Sequence, residues 1–115
     1  MKPPPPTVEG YTLIICGGTH LTPKDRRKMV PAALTRLPRP ARLLHRHDLR
    51  DDQDATAWAF AQWVPVEAMS AAPPDRLMST ARPALLVIFP AGRDDTAQLR
   101  AAADRAGLPV WQPYD

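Results

Sequence analysis

Apolar residues along this chain recur in two rhythms that alternate, and the alternation is the first thing the sequence tells. Short unbroken apolar runs stand at Tyr11–Cys16 (YTLIIC) and Ala84–Phe89 (ALLVIF), with shorter ones at 41–45, 64–68 and 108–111. Their β-branched content suits strands buried on both faces, which carry no polar side to interrupt the run. Between them, apolar positions return every three or four residues. Met29, Val30, Ala33, Leu34 and Leu37 mark a first helix that starts at Thr22-Pro23 and ends before Pro38. Pro31 inside that pattern predicts a late start or a kink. Ala55, Trp58, Ala59 and Trp63 mark a second helix with Asp51, Asp52 and Asp54 in its first turn. Arg76, Leu77 and Met78 follow Pro73-Pro74-Asp75 as one short helical stretch. Leu99, Ala102, Ala103 and Ala106 mark the last helix, capped by Asp94 or Asp95 and stopped by Gly107.

Strand and helix thus alternate through five strands. That order predicts an α/β protein: a three-layer, Rossmann-like, doubly wound parallel sheet of about five strands with order 3-2-1-4-5. In that order the first and fourth strands are neighbours at the switch point, and each runs into a glycine-bearing loop, Gly17-Gly18-Thr19 and Pro90-Ala91-Gly92-Arg93. Loops of this kind expose backbone N–H groups near a helix N-terminus, where anions bind. A pair of glycines serves equally well as a plain tight turn.

Size and composition narrow the picture further. A chain of 115 residues makes one domain, here expected over residues 11–115 behind a flexible proline-rich tail at 1–10. Fifteen prolines against five glycines stiffen the connections, and the run Pro3–Pro6 leaves the leader without backbone donors, favouring an extended polyproline conformation. The net charge of +3 favours anionic ligands. No run approaches the roughly 18 apolar residues of a membrane span, and MKPPPP has no secretory apolar core, so a cytoplasmic protein is expected. The single cysteine, Cys16, ends a buried strand and reads as a structural thiol.

Taken together, the CGGT after the first strand, a polar loop opened by His45 and leading into Asp52, Arg76 followed by Met78, and FPAGR with Thr96 before Gly107-Leu108-Pro109-Val110 resemble the SLOG superfamily. The similar branch is that of the small YspA/YpsA-like proteins, with LOG phosphoribohydrolases and DprA as more distant relatives. The resemblance runs from Tyr11 to Trp111 and implies a Rossmann-like domain that binds a nucleotide or nucleotide-derived molecule. It places Gly17 and Gly18 in the first ligand loop, His45 and Asp52 in the second, Arg76 after it, and Pro90, Gly92 and Thr96 in the last; beside these, Thr19 and His20 follow the first glycines and Arg93 the last, where they are candidates to contact a phosphate. Thr19 stands where the family has arginine, Ala91 replaces a glycine, and Asp94-Asp95 crowds the phosphate side of the last loop. Leu99 stands where the LOG hydrolases carry a catalytic glutamate, so hydrolysis by that route is not expected.

Three function classes follow: a non-catalytic small-molecule binder, a degenerate relative acting as a structural or protein-interaction module, and nucleic-acid binding through Lys24, Arg26, Arg27 and Lys28 on the first helix. His45-x-His47-Asp48 with the following aspartates can also be read as a metal cluster, but the set suits loop polar groups and helix caps better. No cofactor or metal is implied beyond an unidentified nucleotide-like ligand. A small chain with an exposed tryptophan face can also pair with itself.

Overall fold

The computed structural model describes residues 1–45, 53–68 and 73–114, with the side chains of 93–95 left aside. Five strands, β1 (Thr12–Gly17), β2 (Arg42–His45), β3 (Val66–Ala68), β4 (Ala84–Phe89) and β5 (Val110–Trp111), alternate with four helices, α1 (Pro23–Leu34), α2 (Gln53–Ala61), α3 (Pro74–Thr80) and α4 (Arg93–Ala106). They form one parallel sheet of order β3-β2-β1-β4-β5, as the alternation of patterns predicts. The chain winds outward from β1 to β3, crosses over, and winds outward again from β4 to β5.

The two central strands show why unbroken apolar runs were needed. Every residue of β1 and β4 is buried, and successive side chains go to opposite sides. Leu13, Ile15, Leu85, Val87 and Phe89 join Val30, Ala33 and Leu34 of α1 and Ala55 and Ala59 of α2. Ile14, Cys16, Leu86 and Ile88 join Leu77 and Met78 of α3 and Leu99, Ala102 and Ala103 of α4. The sheet is therefore the middle of three layers, with α1 and α2 on one face and α3 and α4 on the other.

Local sequence explains most element ends. Thr22 caps α1, its hydroxyl accepting the Asp25 N–H at 3.1 Å. α1 starts at Pro23 and runs through Pro31, so the late start does not occur; it closes at Leu34, and its last turn is tied off where Pro31 O accepts both the N–H and the hydroxyl of Thr35. α2 ends at Ala61, two residues before Trp63, which turns into the left-handed region instead of continuing the helix. The cap of α4 is Gly92, not Asp94 or Asp95, which fall inside the first turn because the helix begins at Arg93. Gly107, at φ 71°, stops α4 as its pattern predicts.

The proline leader touches the body well before Gly10. Lys2 N–H, the last donor before four prolines, bonds to Pro113 O at 3.1 Å, while Pro6, Thr7 and Val8 border a hollow with Leu108 and Pro109 just ahead of β5. The leader thus crosses the sheet end beside Tyr11, Pro83 and Leu108 and reaches the residue just beyond β5. The Arg82-Pro83 bond leading into β4 is cis. Among the described residues, no helix is long and apolar enough to cross a membrane.

Candidate functional site

β1 and β4 lie side by side over their whole length, with Gly17 opposite Phe89, so the two glycine-bearing loops do meet at the carboxyl end of the sheet. How they meet is more specific than the sequence predicts. Gly17 has φ 86°, and a Cβ there would collide with the Phe89 carbonyl oxygen. The glycine is demanded by the neighbouring strand. One residue on, the N–H of Gly18 and the N–H of His20 both donate to Pro90 O at 3.1 Å. Two amides of the predicted anion loop are thereby committed to the adjacent loop, and the seam between β1 and β4 is sewn by backbone.

The open space lies one step further along the sheet. A cavity of about 540 Å³ sits at the carboxyl ends of β4 and β5, bordered by His20, Pro90, Thr96, Arg100, Gln112 and Tyr114, with Phe89 and Ile88 at its floor. That volume falls within the range of small-molecule pockets, roughly 300–1,000 Å³. Its position, outside the carboxyl ends of strands beside the switch point, is where open α/β sheets bind ligands.

Each wall has a reason in the chain. Thr96 and Arg100 are four residues apart on α4 and share a face. His20 is carried in by the turn after Gly18. Gln112 and Tyr114 arrive because β5 pairs with β4, Leu86 opposite Val110. Tyr114 is fixed by three things: its hydroxyl donates to Met29 O of α1 at 2.7 Å, its ring lies 6.3 Å from that of Phe89, and Pro113 before it is buried. Burial raises the Tyr114 phenol above its ordinary pKa, so it stays a neutral donor. Among the described lining residues Arg100 carries the one permanent charge, and among the described residues it has no ion-pair or hydrogen-bond partner. Such a lining suits an anion with hydrogen-bonding edges.

Of the residues singled out from sequence, His20, Pro90 and Thr96 come together here. Gly17, Gly18 and Gly92 build the framework behind them: Gly17 and Gly18 are buried and Gly92 caps α4. Thr19 is exposed next to His20. His45 ends β2 opposite Ala68, on the far side of β1, two strand spacings or roughly 10 Å from β4. Arg76 is exposed on α3 and does not border the cavity. Asp52, with His47, Asp48 and Asp51, lies outside the described residues, and so does the side chain of Arg93. Among the described residues no three of His, Cys, Asp and Glu gather as a metal site would require.

Arg100, Gln112 and Tyr114 escaped the sequence reading. The four-residue step from Thr96 was a usable signal for Arg100. Nothing local marks Gln112 or Tyr114, because only strand pairing brings the end of the chain to this place. Leu99 is buried among Ile14, Cys16 and Leu44, so that position of α4 faces the core and not the cavity.

Fold and cavity together define an α/β domain of the doubly wound, Rossmann-like type with an anion-suited recess at the carboxyl end of its sheet. No family model, curated protein or solved structure matches the chain.

Proposed function

We propose that the protein binds an anionic, nucleotide-derived small molecule in the recess at the carboxyl ends of β4 and β5, without turning it over. The observation that carries this reading is the Arg100 guanidinium, without a partner among the described residues, on the rim of a cavity of about 540 Å³ that His20, Thr96 and Gln112 also line with hydrogen-bonding groups. The resemblance to the SLOG superfamily supports a nucleotide-like ligand, and the core position of Leu99 leaves that spot without a carboxylate for hydrolysis. A thermal-shift series with nucleotides, cyclic nucleotides and ADP-ribose tests it. A ligand at 100 times its Kd adds about 2.7 kcal/mol, which raises Tm by about 10 °C in a domain this size. Arg100→Met removes a charge-assisted contact of about 1.5–3 kcal/mol and weakens binding by roughly 10- to 100-fold. An Arg100→Met protein that binds as tightly as the parent refutes the assignment.

A second reading has its own observation. The Gly18 and His20 amides that a phosphate would use are bound to Pro90 O, which favours a domain that keeps the architecture and serves as an interaction module. Absence of any shift across the ligand series selects that reading.

A further inference from the structure

The amino end of the sheet holds a second hollow, which the ligand recess at the carboxyl end does not use. Because β1, β4 and β5 are adjacent and parallel, the segments that lead into them converge. Pro6, Thr7, Val8 and Tyr11 precede β1, Arg82-Pro83 precedes β4, and Gly107-Leu108-Pro109 precedes β5; together they border a cavity of about 440 Å³. That volume is enough for a small molecule. β4 runs from Ala84 on this cavity to Phe89 at the floor of the recess, which sets the two about 16 Å apart.

The walls are firm and mostly carbon. Thr12 N–H bonds to Pro83 O at 2.7 Å, Leu86 N–H to Pro109 O at 3.1 Å and Leu108 N–H to Ala103 O at 2.9 Å, which ties the lead-in segments to the sheet and to α4. Pro6, Pro83 and Pro109 present ring carbon and have no N–H to offer. Two polar side chains interrupt this surface. Arg82 has no ion-pair or hydrogen-bond partner among the described residues, and its Nη2 lies 3.7 Å from where a Cβ on Gly107 would stand, so the guanidinium rests over the turn from α4 into β5. Thr7 has its hydroxyl oxygen buried, again with no hydrogen-bond partner among the described residues. A hydroxyl withdrawn from water in this way costs stability, and binding of a partner group offsets that cost.

We propose that this hollow binds a small carboxylic acid with an apolar body, of the aryl-alkanoate or branched alkanoate class. The planar fork of Arg82 takes the carboxylate, rotation about χ1 lets the Thr7 hydroxyl donate to it, and the hydrocarbon lies on Pro83, Leu108 and Pro109. One guanidinium matches one carboxylate. A phosphate is held by several converging donors, commonly backbone N–H groups, and three of the bordering residues are prolines that have none. The site shares no residue with the recess and does not depend on what the recess binds.

An amide NMR titration of the full chain with hydrocinnamate, up to about 10 mM, reads affinity and place together. Saturable binding is expected with a Kd below about 1 mM, with the shifts centred on Thr7, Val8, Gly107 and Leu108 while His20, Thr96 and Arg100 stay still. The neutral amide of the same acid, and the acid on Arg82→Gln, are each expected to bind about 10-fold more weakly or worse. Arg82 is exposed, so this change leaves the core intact. Thr7→Val separates binding from structure: it is expected to weaken the acid by about 3-fold or more and yet, without acid, to melt no lower than the parent, because a methyl replaces an unpartnered hydroxyl. No saturation by about 10 mM, shifts centred on the recess, or either variant binding the acid as tightly as the parent overturns the inference.

Discussion

Replacing Gly17 by alanine tests the joint on which the carboxyl end of the sheet is built. Two costs add there. An L-residue at φ 86° costs about 1–2 kcal/mol. The new Cβ also runs into the Phe89 carbonyl, which belongs to a fully buried strand and cannot move alone. Displacing β4 loosens the two bonds from Gly18 and His20 to Pro90 O, each contributing about 1 kcal/mol. The total is about 3–4 kcal/mol, a large part of the roughly 5–15 kcal/mol that holds a domain of this kind together. Gly10 supplies the control, because it has φ 76° and nothing within 4 Å of the site of a Cβ. Gly10→Ala therefore carries the backbone cost by itself. In urea, with a slope near 1.5 kcal/mol per M, the midpoint falls by about 2–3 M for Gly17→Ala and by about 1 M for Gly10→Ala. Equal midpoints for the two variants would refute the close approach of β1 and β4 at Phe89, and with it the sewn seam.

Thr22→Ala removes the hydroxyl that caps α1, and a loss of about 1 kcal/mol is expected by the same urea assay; a loss below about 0.3 kcal/mol shows that Pro23 alone sets the helix start. Tyr11 is buried, bonded to Pro38 O, and its phenol is pushed up to about 12 from 10.0 by burial. The unfolded chain releases this proton first, so its contribution is whole below pH 10 and disappears as pH rises from 10 to 12, on the order of 2–3 kcal/mol. Tyr11→Phe removes that part of the alkaline loss, and a pH profile identical to the parent's counts against it. The Asp75–Arg105 pair lies exposed at the surface at 2.7 Å, and Arg105→Leu is expected to leave the urea midpoint unchanged, since exposed pairs contribute little; a clear drop shows that the pair braces α3 against α4.

What the sequence determined by itself is the architecture. Apolar runs such as LIIC and LLVIF can be satisfied only by burial on both faces, and strands of that kind separated by helical patterns leave a parallel, doubly wound sheet as the compact solution. Caps with a local mechanism, Thr22 and Gly107, were legible for the same reason: the partner group lies within four residues. Where the structure departs, the deciding partner is distant. Trp63 reads as the end of α2 by spacing, yet Arg39, from the connection between α1 and β2, donates to its carbonyl and holds it out of the helix. Gly17-Gly18 reads as a phosphate loop, yet the carbonyls of Phe89 and Pro90, seventy residues later, take up its space and two of its amides. The recess moved to β4 and β5 because Gln112 and Tyr114 are placed by strand pairing, a long-range event that leaves no mark in the residues themselves. Periodicity records what each segment must bury; which segments then face one another, and what opening remains between them, is fixed only when the whole sheet is assembled.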